Sequence, residues 1–148
     1  MLSAPEERLG HAAAPNMSLI ENTLITAENS QNLVSRGFID WKKSKAFAEK
    51  VIKKFDVRTP SSQNTAGSLS GGNLQKFVIG REILQNPSVF IVNQPTWGVD
   101  AAAASSIRQA LLTLSENGAA ILVISQDLDE LLEISDQFAA LNSGALSR

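Results

Sequence analysis

The chain has 148 residues, 43% of them hydrophobic and 19% charged, with a formal net charge of −2, a composition suited to one globular unit with a sizeable core. The absence of cysteine excludes disulfides, thiolate metal sites and thiol catalysis and is compatible with a reducing cytosol, and the lone histidine, His11, argues against a zinc centre. There is no basic excess to attract nucleic acid, and the longest apolar runs, residues 88–92 and 119–124, fall far short of the ~20 residues that a spanning helix needs.

In chain order, the sequence starts without the basic segment and apolar stretch of a signal peptide. The prolines and glycine of residues 5–15 predict a loop, and Ser18 is placed to cap a short helix carrying Leu19, Ile20, Leu24 and Ile25. Asp40 precedes a clearer helix, in which Phe47, Val51 and Phe55 recur at i, i+4 and i+8 and Ile52 widens the stripe. The dense cationic stretch of residues 42–54 alternates with these apolar positions and so reads as the solvated face of that helix. Thr59-Pro60 is expected to end it, because a residue before proline is pushed out of the helical region.

From Leu69 onward the pattern changes. A Gly-rich turn leads into a helix over residues 72–85, a strand over 89–92, a helix over 101–116 and a strand over 119–125, then a helix over 128–134 and a short strand over 137–141. Continuous apolar strands separated by helices predict a parallel sheet covered on both faces. The expected class is α/β, with residues 1–68 as a mainly helical subdomain and 69–148 as the α/β core.

The Gly-rich turn, Leu69-Ser70-Gly71-Gly72-Asn73, opens a helix. First-turn N–H groups have no intrahelical partner and carry the positive end of the helix dipole, so they favour an anion. Two glycines let a phosphate approach the backbone, and Ser70 can cap the helix or donate its hydroxyl. Taken alone, the same five residues are also an ordinary N-cap with a flexible hinge.

Their context carries a resemblance. Leu69-Ser70-Gly71-Gly72-Asn73, followed by Val89-Phe90-Ile91-Val92-Asn93-Gln94-Pro95-Thr96-Trp97-Gly98-Val99-Asp100, resembles the ABC ATPases, where an LSGGQ signature precedes a hydrophobic strand ending in D-E-P-T and then a G-L-D loop. Pro5-Glu6-Glu7-Arg8 is similar to a P-E-D/E-R element in the second half of fused ATPase subunits of sugar and nucleoside importers, and the wording of residues 93–100 leans toward the purine-nucleoside branch. The resemblance implies a partial P-loop NTPase core in which Ser70, Gly71, Gly72 and Asn73 meet ATP phosphates held by another cassette. It also places Asp100 in the loop that crosses to that cassette and Glu6 at or beside the glutamine of the Q-loop.

Several departures concern chemistry. None of the nine glycines is followed by lysine, so the G-x-x-x-x-G-K-[S/T] phosphate loop is absent from these residues. Where the family has a Mg²⁺-holding aspartate and a catalytic glutamate, this chain has Asn93 and Gln94, which keep size and hydrogen-bonding capacity but lose charge. A neutral amide is no general base, a role worth about 10²–10⁴ in rate, and a hard cation favours carboxylates. The family's switch histidine corresponds to Gln126, which lacks an ionisable ring. No catalytic residue and no metal site are therefore expected in this chain, which on its own should be inactive and hold ATP and Mg²⁺ poorly.

By resemblance the partners are the other ABC half of the same subunit, membrane permease subunits and, indirectly, a solute-binding lipoprotein, on the cytoplasmic face of the cell membrane. The stretch from Arg8 to Met17, with Phe38 and Trp41, offers an apolar surface for the permease, although the two aromatics fit a core equally well. In related folds the phosphate-loop strand lies between the switch strand and the last strand, so its absence is expected to leave apolar faces of the sheet uncovered and strand edges unpaired, and the chain prone to dimerise, rearrange or be marginally stable. Two other readings stay open: a translation or DNA-maintenance ATPase of the ABC type, which would carry basic surfaces and acidic residues at 93 and 94, and a non-catalytic interaction module or truncated-gene product that binds no nucleotide.

Overall fold

The computed structural model describes residues 1–147. Three parallel strands, β1 (Leu2–Ala4), β4 (Val89–Asn93) and β5 (Ala120–Ile124), form a sheet in the order β1-β4-β5, with Leu2 opposite Phe90 and Asn93 opposite Ile124. The helices are α1 (Leu19–Ala27), α2 (Trp41–Lys54), α3 (Gly71–Ile83), α4 (Ala101–Glu116) and α5 (Leu128–Ile134). A small antiparallel pair, β2 (Val34–Ser35) and β3 (Phe38–Ile39), separates α1 from α2, and a second pair, β6 (Ala140–Asn142) and β7 (Ala145–Ser147), ends the described chain.

Helix α3 is the centre of the molecule. All ten residues from Leu74 to Ile83 are buried, because α1, α2, α4 and β1 pack around it. Its apolar members Phe77, Val78 and Ile79 join Leu19, Val51, Phe90, Val92 and Ile107 in one core that runs through both halves of the chain. Two polar residues near the end of α3 are as buried as that core. Arg81 and Glu82, 1% and 0% exposed, form a 2.6 Å ion pair. Arg81 also donates to the carbonyls of Asn22 (2.9 Å) and Ala12 (2.8 Å), while Glu82 accepts from Thr26 (2.9 Å) and Gln85 (2.9 Å). Every charge there is paired, as burial demands.

Local rules account for most element ends. Ser18 and Glu21 form a reciprocal capping box at the start of α1, and the Ser18 hydrogen bonds hold the Glu21 carboxyl below its usual range. Asp100 and Asp127 cap α4 and α5 through the backbone N–H groups of Ala103 (2.9 Å) and Glu130 (3.1 Å). Helix α2 stops at Lys54 rather than at the expected Thr59-Pro60. Asp56 adopts a left-handed conformation (φ 48°) and the Val57 N–H bonds Ile52 O at 2.9 Å, so a Schellman motif ends the helix before the proline can act.

The first third is mainly helical, through α1 and α2, and adds β1 to the main sheet and the small β2-β3 pair. Two further expectations need correction. The strand expected over residues 137–141 begins at Ala140 and turns back on β7, because Ser143 (φ 49°) and Gly144 (φ 78°) form the two-residue turn that favours a hairpin. The sheet is also not covered on both faces, contrary to the expectation from the strand pattern and in line with that from the missing phosphate-loop strand. Leu122 and Ile124 on β5 are 55% and 48% exposed, and they border an open groove of about 1140 Å³ that separates β5 from Phe138, Leu141 and Leu146.

Candidate functional site

Ser70 stands in extended backbone (φ −61°, ψ 153°) just ahead of α3 and caps it. Its Oγ accepts from the Asn73 side-chain amide at 2.9 Å and, more distantly, from the Asn73 N–H at 3.4 Å. Asn73 in turn accepts from the Arg58 N–H at 2.8 Å, which ties the turn to the segment after α2. The N–H groups of Gly71 and Gly72 lie in the first turn, where no intrahelical acceptor exists. Ser70 and Gly71 are exposed and Gly72 is half-buried, so this end of the helix is open to an anion.

The two glycines also serve the protein itself. A Cβ at Gly71 would lie 3.0 Å from Arg8 Nη1, and one at Gly72 would lie 3.0 Å from the carbonyl oxygen of Gly98. Close approach of the chain's own groups therefore selects glycine here, alongside the phosphate approach that the sequence suggests. Gly98 sits at φ 69°, so the turn that meets Gly72 needs a glycine too.

Behind the turn, Gln75 is a buried relay. Its amide nitrogen donates to Gln94 O (3.1 Å) and Pro95 O (2.9 Å), and its carbonyl accepts from Arg8 Nε (2.7 Å). Arg8 continues outward with Nη1 to Gly71 O (3.2 Å) and Nη2 to Trp97 O. Partial burial lowers the pKa of this guanidinium, against the raising influence of Glu6, and an arginine so shifted remains a cation.

Asn93 and Gln94 close β4, and the Gln94 N–H bonds Ile124 O at 2.8 Å. Gln94 is buried and left-handed (φ 52°). Gln126 lies two residues beyond Ile124, exposed, so the three amides share the carboxyl edge of the parallel sheet, where α/β proteins collect their ligands. The buried carboxylate of Glu130 links the two turns at this edge, accepting from Thr96 Oγ1 (2.7 Å) and Ser125 Oγ (2.8 Å). Asp100 is exposed and its carboxyl is held low, first by the Ala103 N–H and then by the charges of Lys76 and Arg58. Glu6 is exposed beside Arg8 in a cleft of about 650 Å³ that also meets Leu69, Gly71, Leu74 and Trp97. Leu69 to Asn73, Asp100 and Gln94 thus gather around the start of α3, with Glu6 at the margin and Gln126 across the sheet edge. The roles of Gln75 and Glu130 were not legible in the sequence, and Arg8 stood out there only in the Pro5-Glu6-Glu7-Arg8 element and at the start of the residue 8–17 stretch. Their partners are distant in sequence, and the one local hint was a glutamate in the first turn of α5.

No family model matches the chain. It is 38% identical over 142 residues to the nucleoside import ATP-binding protein NupA of Lactococcus lactis, a match spanning 96% of this chain and 28% of that protein. It is 41% identical over 143 residues to the arabinose import ATP-binding protein AraG of Vibrio parahaemolyticus, spanning 97% of this chain and 28% of the relative. The ribose import ATP-binding protein RbsA of Oceanobacillus iheyensis is 37% identical over 142 residues, again 96% and 28%. The chain is thus similar, over nearly all of its own length, to import ATP-binding proteins and spans just over a quarter of theirs. Its fold agrees: the ATP-binding cassette MJ0796, solved as a dimer bound to ADP and phosphate, superimposes with a TM-score of 0.69 at 22% identity, over 87% of this chain and 53% of that one.

ABC ATPases use ATP with Mg²⁺ in the complete subunit. The residues here fit one part of that requirement. The open amides of Gly71 and Gly72 and the Ser70 hydroxyl suit a phosphate. They do not fit the metal: Asn93 and Gln94 offer amides to a cation that prefers carboxylates, and no group of three His, Cys, Asp or Glu side chains gathers among the described residues. No helix of the described residues is long and apolar enough to cross a membrane.

Proposed function

We propose that this chain is the signature-bearing part of an ABC importer ATPase and completes an ATP site whose phosphate loop belongs to the other ABC half of the same subunit. The observation that carries this reading is the start of α3. Its two first-turn amides are open, while Arg8, Gln75 and Arg58 hold the turn from behind. Such a preorganised pair of donors stabilises anionic charge without reorganising when the ligand arrives.

In this role Gly71 and Gly72 direct N–H groups at a phosphate presented by the facing cassette, and the Ser70 hydroxyl adds a third donor. Asp100 fixes the N-terminus of α4 and with it the turn against which Gly72 packs. Bound ATP with Mg²⁺ would supply the transferable phosphoryl group and the charge that these donors read. Asn93, Gln94 and Gln126 cannot take a proton from water at neutral pH, so the chain's own sheet edge contributes no hydrolysis. The sequence relatives are import ATP-binding proteins for nucleosides and sugars, which supports an importer of such solutes, with permease subunits and a solute-binding lipoprotein as further partners on the cytoplasmic face of the membrane.

The test is ATP hydrolysis by the complete subunit, or by this chain mixed with the half that carries the phosphate loop. Ser70→Trp is expected to abolish turnover and Gln94→Ala to leave it within about twofold. Full turnover in the Ser70 variant would overturn the proposal. The groove beside β5 favours one second reading, an interaction module without nucleotide, which predicts association between the halves that neither ATP nor Ser70→Trp alters.

A further inference from the structure

We propose that Arg8 is a positioning residue that locks the signature turn and the turn after β4 into one body; this rests on the signature role proposed above. Three nitrogens of one guanidinium reach two separate segments: Nε to the Gln75 side chain, 67 residues away, and Nη1 to Gly71 O, 63 residues away, both in the first turns of α3, and Nη2 to Trp97 O, 89 residues away, in the turn after β4. Gln75 extends the connection to the carbonyls of Gln94 and Pro95. Gly71 and Trp97 therefore cannot move relative to each other without breaking bonds to the same side chain.

The surroundings are built for this group. A Cβ at Gly71 would stand 3.0 Å from Nη1, tighter than ordinary contact, so the glycine there leaves room for the guanidinium. The backbone of Arg8 is itself anchored, since its carbonyl accepts from the N–H groups of Ala12 (3.1 Å) and Ala13 (2.7 Å). Ala12 in turn accepts from Arg81 near the far end of α3. The brace thus grips α3 at both ends. A planar fork with fixed donors is required, because a lysine ammonium is one point charge and cannot meet three acceptors set around a plane.

The consequence is a signature whose phosphate-facing amides keep their aim relative to residues 96–99 with no partner present. Amide hydrogen exchange of the full chain tests this, comparing wild type with Arg8→Ala and Arg8→Lys. Both variants are expected to accelerate exchange at Leu74, Trp97 and Val99 by at least about tenfold while the middles of α1 and α4 stay within about twofold. Unchanged exchange at those amides overturns the proposal, as does a rise of equal size throughout the chain, which marks a merely structural role. Wild-type protection in Arg8→Lys also overturns it, and that variant keeps the test decisive where Arg8→Ala fails to fold. The measurement needs no nucleotide, so it can succeed even where Ser70→Trp shows that the signature completes no ATP site.

Discussion

Replacing Arg81 by methionine removes the cation of the most buried ion pair in the chain while keeping much of its apolar stem. Arg81 and Glu82 are 1% and 0% exposed, so the Glu82 carboxylate would stay in the core with Thr26 and Gln85 as its remaining donors. Removing one member of such a pair costs about 3–5 kcal/mol, because a buried charge is left uncompensated. The carbonyls of Asn22 and Ala12 also lose their Arg81 donor, which places the loss toward the upper end of that range. Against a total stability of about 5–15 kcal/mol this is a large fraction, equivalent to a fall in Tm of about 6–20 °C for a chain of this size. Urea unfolding followed by circular dichroism measures it, with an unchanged m-value as the check that the denatured state is the same. Adding Glu82→Leu should recover about half of the loss, since the stranded carboxylate goes and Gln85 keeps Thr26 Oγ1 and the Arg81 carbonyl as acceptors, but the Thr26 hydroxyl loses its own. An Arg81→Met variant within about 1 kcal/mol of wild type would refute the claim that this pair holds α1 and the residue 8–13 turn to α3.

Gly72→Ala should leave stability within about 1 kcal/mol, because the helix propensity gained offsets the crowding of the Gly98 carbonyl 3.0 Å away. It should still lower complementation of ATPase activity severalfold by pushing residues 96–99 outward, and unchanged complementation would count against that packing. Asp100 has a folded pKa below its ordinary value of 3.8, so its stabilisation is complete at neutral pH and is lost as the pH falls through and below that value. Asp100→Asn should flatten the acid limb of a urea stability curve below about pH 5 while changing little at pH 7, because asparagine also caps. Leu122→Lys with Ile124→Lys should abolish any concentration-dependent association seen by light scattering, since both side chains border the open groove beside β5.

How much of this was legible in the sequence depended on the range of the interactions. Helices α4 and α5 have the limits that the sequence pattern predicts, and Ser18 caps α1 as expected. The end of α2 was misplaced because its stop signal is Asp56 in a left-handed conformation, a role usually announced by glycine, whereas α4 carries the ordinary signal in Gly118 (φ 92°). β1 went unread because three residues show no periodicity, and its strand character comes from pairing with β4, almost ninety positions away. In the candidate site, Leu69 to Asn73 stood out as a local motif, whereas the bonds that hold it, from Arg8, Gln75 and Arg58, cross 15 to 67 residues. A single chain without periodic spacing carries no mark of such contacts.

These ranges bear on how freely each part of the candidate site can change. The Gly-rich turn at the start of α3 is braced by groups that also hold the core together: Gln75 lies in the buried run of α3, and the Arg8 turn is pinned by Arg81. A change there therefore disturbs folding as well as ligand binding. Gln94 and Asn93 meet the rest of the protein mainly through their backbones, by way of the Gln94 N–H, the Gln94 carbonyl and the β4 register. Exchanging carboxylate for amide at such positions leaves those bonds in place and removes a charge from a half-buried sheet edge, which relieves desolvation. Physical chemistry thus allows the side-chain chemistry at the end of β4 to change without loss of the fold, while the donors at the start of α3 are held by the fold itself.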